Sequence, residues 1–468
     1  MDAIIRLLCQ RIEERTGIVV TAGDVPHDCS GLRLHLELRP GIDREGFAIE
    51  GDEQVMRIAG SEPCGLLAGV GHFLHTTGYG EGTCHPAHWR GISLPECPVR
   101  GIFFALHNNW YALAPRAEIH RYIEDLGLWG INTICFHFPQ YEDPTTPEAR
   151  AALAEFRELL RVVKRLGMKV ALLKEPNIGF VNPPAAIRAA IFPDTIPPRR
   201  GTGGPRVCPS RPAGFAYLSH MLATCLDGFT DIGVDYIVTF PYDAGGCGCA
   251  DCWPWGARGY LTIAQEFFRL ARERYPECKR VLGTWCFDVR EESDGEYPGL
   301  AQRLAQDDGW VDYLMADSHE DFPRFLLEHG VPGNLPVLNF AEISMWGRFP
   351  WGGSGANPLP ARFQRLWDQA QHLLAGGFPY SEGNFEDINK IICSRFYWKK
   401  DTPATDAVRA YIAYEFSPVV VELVAEAITL LERTYPHTDR QSVEVERAYA
   451  LIQQADTVLP PRARASWR

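Results

Sequence analysis

Val99-Arg100-Gly101-Ile102-Phe103-Phe104-Ala105-Leu106-His107 starts a new pattern in the chain. It is a near-continuous apolar run with aromatic and β-branched residues, and a polar segment, Asn108-Asn109-Trp110, lies directly behind it. Such a run suits a strand buried on both faces, as strands of parallel sheets are. Seven more follow, at 131–138, 169–176, 236–243, 281–288, 313–319, 336–344 and 377–384. Helical stretches at 117–129, 148–166, 213–230, 259–275 and 360–375 separate them. The alternation predicts a parallel sheet, and eight units predict closure into a (β/α)8 TIM barrel.

On the N-terminal side the pattern differs. Residues 2–15 place Ile4, Ile5, Leu7, Leu8 and Ile12 on one helical stripe. Residues 31–38 alternate strictly, with Leu32, Leu34, Leu36 and Leu38 on one face of a half-buried strand. Short strands near 46–50 and 54–59 come next, joined by Gly51-Asp52. Ser61-Glu62-Pro63 then opens a Gly- and Leu-rich helix at 62–76, predicted to pack closely on the sheet. The order is α-β-β-β-α, and Pro95, Cys97 and Pro98 mark the link to the barrel. Beyond the barrel, helices are expected near 403–415, 418–435 and 441–457. The predicted organisation is an α/β domain over 1–98, a barrel over 99–400 and a C-terminal helical extension over 401–468.

Composition narrows the function. The 468 residues carry a net charge of −13 and show no basic stripe, which argues against a nucleic-acid groove. No run of 18 apolar residues predicts a membrane span. The first residues lack the basic and apolar regions of a signal peptide, and 14 Cys without a small-scaffold framework suit a reducing cytosol, so a cytoplasmic location is expected. The oligomeric state stays open, a homo-oligomer included.

In a barrel the loops after the strands build the active face. Six of the eight strand ends deliver a carboxylate there: Glu175, Asp243, Asp288, Asp317, Glu342 and Glu382. Trp110, Trp285, Trp346 and Trp351 gather at the same rim. Carboxylates beside aromatic platforms and amides suit a small polyhydroxylated substrate. Glycoside hydrolysis needs two acids, one protonated for the leaving oxygen and one ionised to attack or to activate water. Asp288 before Arg290, and Glu320 at a helix start, equally suit structural pairing. The Pro- and Gly-rich connection 177–212 reads either as a loose insert or as a wall of the mouth.

Cys247-Gly248-Cys249-Ala250-Asp251-Cys252 follows the fourth strand. This C-x-C-x-x-C spacing can grip one ion, and Cys208 in the preceding loop can supply the fourth ligand of a structural zinc. The same thiols can also brace a Gly-rich loop without metal. The chemistry itself calls for no cofactor.

Short patches resemble known families. Glu45-Gly46-Phe47-Ala48-Ile49, Val55-Met56-Arg57-Ile58-Ala59-Gly60 and Gly65-Leu66-Leu67-Ala68-Gly69-Val70 resemble the small domain that precedes the barrel in β-hexosaminidases and α-glucuronidases. Leu94-Pro95-Glu96-Cys97-Pro98-Val99-Arg100-Gly101 resembles the entry to their barrel. The resemblance implies an exo-acting glycosidase on a sugar such as a hexosaminide or uronide. It places acids after strands four, six and seven, where Asp243, Asp317 and Glu342 stand, although the α-glucuronidase fourth-strand acid is Glu. His107-Asn108-Asn109-Trp110 is loosely similar to the α-glucuronidase first-strand end. The adjacent Asp-Glu pair of β-hexosaminidases is replaced by Asp243-Ala244, a departure from substrate-assisted chemistry.

These readings assign Asp243 as general acid and Glu342 as base or nucleophile. Glu175, Asp317 and Glu382 bind substrate hydroxyls or stand in for either catalyst. His107, Asn109, Trp110, His137, Tyr242, Trp285, Trp346 and Tyr380 line the sugar pocket. Arg199, Arg200 and Arg206 either favour an anionic sugar or form a solvated loop face. The alternatives are another carbohydrate-active barrel enzyme, an isomerase or lyase, and a non-catalytic sugar-binding barrel.

Overall fold

The structure is a computed structural model that describes residues 1–23, 31–43, 45–139, 146–178, 182–191, 206–242, 245–288, 295–307, 309–318, 321–344, 357–434 and 443–464. Its centre is a closed ring of eight parallel strands. They are Val99–Phe104, Thr133–His137, Lys169–Lys174, Tyr236–Thr239, Lys279–Gly283, Tyr313–Ser318, Val337–Ala341 and an eighth in two pieces, Leu374–Gly377 and Tyr380–Ser381. Neighbours in the ring are neighbours in chain order, and the last strand pairs with the first. Ile134, Leu172, Ile237, Val281, Leu314 and Leu338 have no accessible surface. Helices cover the outside and side chains fill the inside, so these strands are apolar throughout rather than alternating.

The seam pairs Gly376 with Val99, Gly377 with Arg100, Tyr380 with Phe103 and Ser381 with Phe104. Gly376 has φ +122°, and a Cβ there would lie 1.6 Å from the Val99 carbonyl oxygen, so only glycine fits. This strand starts earlier than its sequence suggests. Leu374 reads as the last turn of a helix over 360–375, yet the helix ends at Ala370 and Leu374 joins the ladder opposite Val337.

The barrel helices follow their signals. In Pro147–Arg165, Thr146 Oγ accepts from Ala149 N, Pro147 opens the first turn, and Phe156, Leu159, Leu160 and Val163 form the buried stripe. Helices Glu296–Gln306 and Asp387–Trp398 were not anticipated, and the helix expected to open at Glu320 spans Arg324–His329.

The N-terminal part contains Asp2–Thr16, Arg33–Leu38, Phe47–Gly51, Val55–Gly60 and Pro63–Thr76, in the expected order. An unforeseen strand, Gly91–Ser93, adds to the sheet beside Phe47–Gly51. Arg33–Leu38 takes the opposite edge, which leaves Leu38 45% exposed. Helix Pro63–Thr76 packs on the sheet and also on the barrel helix Arg116–Leu128. At Gly71 a Cβ would lie 1.8 Å from the Leu128 carbonyl oxygen.

One polar cluster binds the two parts. Arg100 is fully buried and donates to Glu45 Oε2 (2.7 Å), Gly130 O (2.9 Å) and Cys97 O (3.1 Å). Glu45 also accepts from Asn132 Nδ2 (2.7 Å) and from Lys169 Nζ. Burial alone would raise the Glu45 pKa, but Arg100 and Lys169 outweigh it and hold the carboxyl below its ordinary range. One carboxylate therefore meets the first, second and third barrel strands at their N-terminal ends.

Helices Ala404–Tyr411, Val421–Thr434 and Val443–Val458 complete the chain. Arg15 of the first helix donates to Tyr414 O (2.9 Å) and lies over the Tyr414 ring. Among the described residues no helix is long and apolar enough to cross a membrane.

Glu45→Gln leaves the Arg100 guanidinium buried without its counter-charge. Denaturant unfolding is expected to show a loss of about 3 kcal/mol, whereas Glu53→Gln at an exposed site is expected to be neutral.

Candidate active site

All eight strands point one way, so their C-terminal ends share one rim. Three carboxylates there are deeply buried: Glu175 (6% exposed), Glu342 (2%) and Glu382 (3%). A buried carboxylate costs free energy unless hydrogen bonds or charges compensate it. Each of the three has such partners.

Glu382 follows the eighth strand. Its Oε1 accepts from Asn108 Nδ2 (2.9 Å) and Tyr380 Oη (3.1 Å), and its Oε2 from Asn109 Nδ2. Asn108 Nδ2 also donates to Tyr380 Oη (2.9 Å). Asn109 has φ +42°, a left-handed turn that asparagine tolerates. Barrel closure is what makes this cluster: the amides follow the first strand and the acid follows the last. Beneath it, Glu386 accepts from Ser381 Oγ (2.7 Å), Glu382 N (2.7 Å) and Gly383 N (2.9 Å). Lys390, without accessible surface, lies 3.5 Å from both Glu386 and Asp387 and donates to Tyr122 Oη and Gly383 O.

Glu342 follows the seventh strand. Its Oε1 accepts from Ser344 N (2.8 Å) and Ser344 Oγ (3.4 Å), while Ser344 Oγ contacts Tyr380 O (3.1 Å). Glu342 also bridges Tyr380 across the strands. Burial, then the carboxylates of Glu382 and Glu342, push the Tyr380 phenol far above its usual pKa and keep it a proton donor. Tyr380 thus stands between two buried acids. Its ring stacks on Phe103 (5.6 Å between centroids), which contacts Phe340 (5.7 Å), and Phe340 contacts Phe240 (5.3 Å). These rings form an apolar floor inside the rim.

Glu175 follows the third strand and lies 2.7 Å from His137 Nε2. His137 Nδ1 is 2.8 Å from Phe138 O. Both ring nitrogens face oxygen atoms, an arrangement that favours the doubly protonated ring and a charged pair. Burial opposes this, but the Glu175 carboxylate outweighs it and raises the His137 pKa; the same pairing lowers that of Glu175. His107, at the exposed rim, feels both partners: partial burial and His137 lower its pKa, and Glu175 opposes them. Asp317 is half-buried on the sixth strand, paired in register with Phe340.

Several expected contacts differ. Tyr242 has no accessible surface, and its hydroxyl donates to Glu296 at the start of the helix after the fifth strand, so it braces the fourth-strand end instead of facing a sugar. Trp285 is buried against Phe240 (4.9 Å, stacked) and belongs to the floor. Trp110 is half-buried and leans edge-on to Tyr111 and Tyr122. Arg206 is half-buried in the antiparallel bridge to Ile178, beside Cys247, rather than on a solvated loop face. Asp243, Ala244, Trp346, Trp351, Glu320, Arg199 and Arg200 lie outside the described residues. Asn108, Ser344, Glu386 and Lys390 were not singled out from sequence. The i, i+4 spacing of Glu386 and Lys390 at a helix start was the one available signal.

The thiols of Cys208, Cys247, Cys249 and Cys252 converge, every pair of Sγ atoms lying within 4.8 Å. Among the described residues no cysteine is in a disulfide. A separate cavity of about 330 Å³, lined by His72, His75, Trp89, Trp129 and Trp398, lies at the other end of the barrel, against the small domain.

Neither a protein-family model nor a curated protein matches the sequence. Solved structures match it in fold alone. The fold is shared with glycoside hydrolases. A family 89 enzyme from Clostridium perfringens, carrying two Glu-to-Gln changes and bound to its substrate GlcNAc-α-1,4-galactose, superposes with TM-score 0.63 at 11% identity over 90% of this chain. The match spans 56% of that enzyme, so this chain spans about half its length. A family 115 4-O-methyl-α-glucuronidase gives TM-score 0.60 at 11% identity, covering 99% of this chain and 68% of that one. A family 20 β-N-acetylhexosaminidase from Streptomyces coelicolor gives 0.55 at 11%, covering 88% and 89%.

The His137–Glu175 pair defines a pH window. A raised histidine pKa contributes stability that is complete below about 6.5 and lost as pH rises through the raised value. A lowered glutamate pKa contributes stability that is present above about 4.3 and lost as pH falls through the lowered value. Glu175→Gln is therefore expected to lower the His137 pKa in an NMR titration. An unchanged value would show that the two do not form a charged pair.

Proposed function

We propose that the chain is an exo-acting glycoside hydrolase whose substrate is a hexosaminide or a uronide. One observation carries the proposal most of the way: Glu342 and Glu382 are buried acids at adjacent strand ends, flanking one tyrosine, at the rim of a barrel that glycosidases share. Folding does not require acids there. Their burial is a cost, and perturbed or desolvated carboxylates concentrate at functional sites.

The proposed roles follow from chemistry. Glu342 is the ionised carboxylate, oriented by Ser344, that attacks the anomeric carbon or activates a water. Asp243, which follows the fourth strand in sequence, protonates the leaving oxygen. Glu382 keeps both oxygens occupied by Asn108, Asn109 and Tyr380, which suits accepting substrate hydroxyls better than bond making. The aromatic floor offers an apolar surface to a sugar face.

Aryl N-acetylhexosaminides and aryl uronides of both anomeric forms test the proposal. Asp243→Asn and Glu342→Gln should each lower kcat/KM on the hydrolysed substrate by about 10²–10⁴-fold. Glu382→Gln should act mainly on KM. Full turnover in both Asp243→Asn and Glu342→Gln would refute the assignment.

A further inference from the structure

We propose that Cys208, Cys247, Cys249 and Cys252 bind one zinc ion that clamps the loops after the third and fourth barrel strands together. Cys208 Sγ lies 3.7 Å from Cys249 Sγ and 3.9 Å from Cys252 Sγ, and all four sulfurs lie within 4.8 Å of one another. A tetrahedral zinc–thiolate centre with Zn–S near 2.3 Å requires sulfurs on its edges roughly 3.8 Å apart. Cys208 already stands at that spacing from Cys249 and Cys252, and no pair exceeds it by more than about 1 Å. A disulfide would draw two of them to about 2.05 Å.

The surroundings are arranged around sulfur. Cys252 N and Trp253 N both donate to Cys249 O (3.1 and 2.9 Å), which closes the C-x-x-C turn and turns both thiols to one side. Ser210 Oγ lies 3.0 Å from Cys208 Sγ and 3.5 Å from Cys249 Sγ, where a hydroxyl can donate to a thiolate. Arg206 lies beside Cys247 and offsets part of the negative charge that four thiolates leave on a divalent ion. Four thiolate ligands make a closed, structural site with no open position for substrate.

The clamp has work to do at this place. Cys208 arrives from the loop after the third strand, which runs back through the Ile178–Arg206 and Arg188–Val207 bridges. The other three cysteines follow the fourth strand. Asn177 already laces the same loops, donating to Val207 O (3.1 Å) and Gly246 O (2.9 Å) and accepting from Gly246 N (2.9 Å). Zinc would fix the segment that begins four positions after Asp243.

Metal analysis of the full chain, purified under reducing conditions with zinc in the medium, tests this apart from any glycosidase activity. About one zinc per chain is expected, exchangeable for cobalt with thiolate-to-cobalt charge-transfer absorption. Cys247→Ser with Cys252→Ser should abolish binding, while Cys278→Ser and Cys393→Ser should retain it. If the double variant fails to fold, Cys249→Ser, at a partly exposed position, and a chelator titration of the native chain replace it. A folded native chain without zinc, a chain loaded with iron instead, or zinc that survives the double substitution would each overturn the proposal.

Discussion

Closure of the sheet is the constraint on which everything else in this molecule rests. An eight-stranded parallel sheet has no free edge once Gly376 and Gly377 meet Val99 and Arg100. Closure also sorts the chain chemically. Every strand starts on one face of the ring and ends on the other, so acids far apart in sequence share a rim. Asn108 and Glu382 are 274 residues apart and 2.9 Å from contact partner to partner. The opposite face receives Arg100, Asn132 and Lys169, which gather on Glu45 and dock the small domain. The docked small domain and the cluster of buried carboxylates thus occupy different ends of the same strands.

At the rim, burial of carboxylates opposes folding, and neighbouring groups offset it. Glu382 is offset by neutral donors, Glu175 by a charged histidine. Glu386 and Lys390 work one layer deeper, holding the backbone of Glu382 and Gly383 by hydrogen bonds to their amides and to Gly383 O. Removing Lys390 would leave buried acids without their cation, so this layer ties the geometry of Glu382 to the stability of the barrel.

The barrel was legible because strands buried on both faces leave an apolar signature that loops cannot imitate. The eighth strand was the least legible. Its glycines carry no side-chain pattern, and Leu374 fits a helix and a strand equally well. The strand-end acids were legible by position alone, since a parallel barrel sends every strand end to one face. Which way a rim side chain turns was not. Tyr242 and Trp285 stand at strand ends in sequence, yet Glu296 and Phe240 draw them inward. Ser344 and Asn108 gain their importance only from partners across the seam or around a tight turn, which no local spacing reveals. The C-x-C-x-x-C spacing and Cys208 were both singled out from the sequence, and the fold brings their four sulfurs within 4.8 Å of one another.

The most direct measurement is calorimetric binding of cationic iminosugars of the N-acetylhexosamine and uronic types to the native chain and to Glu342→Gln. A positive ring nitrogen mimics the charge of a glycosidic transition state, so buried acids around a sugar pocket should bind one of these ligands tightly. The account predicts such binding, weakened about 10²-fold or more in Glu342→Gln. Equal affinity in the two proteins, or no binding of either ligand, would contradict it.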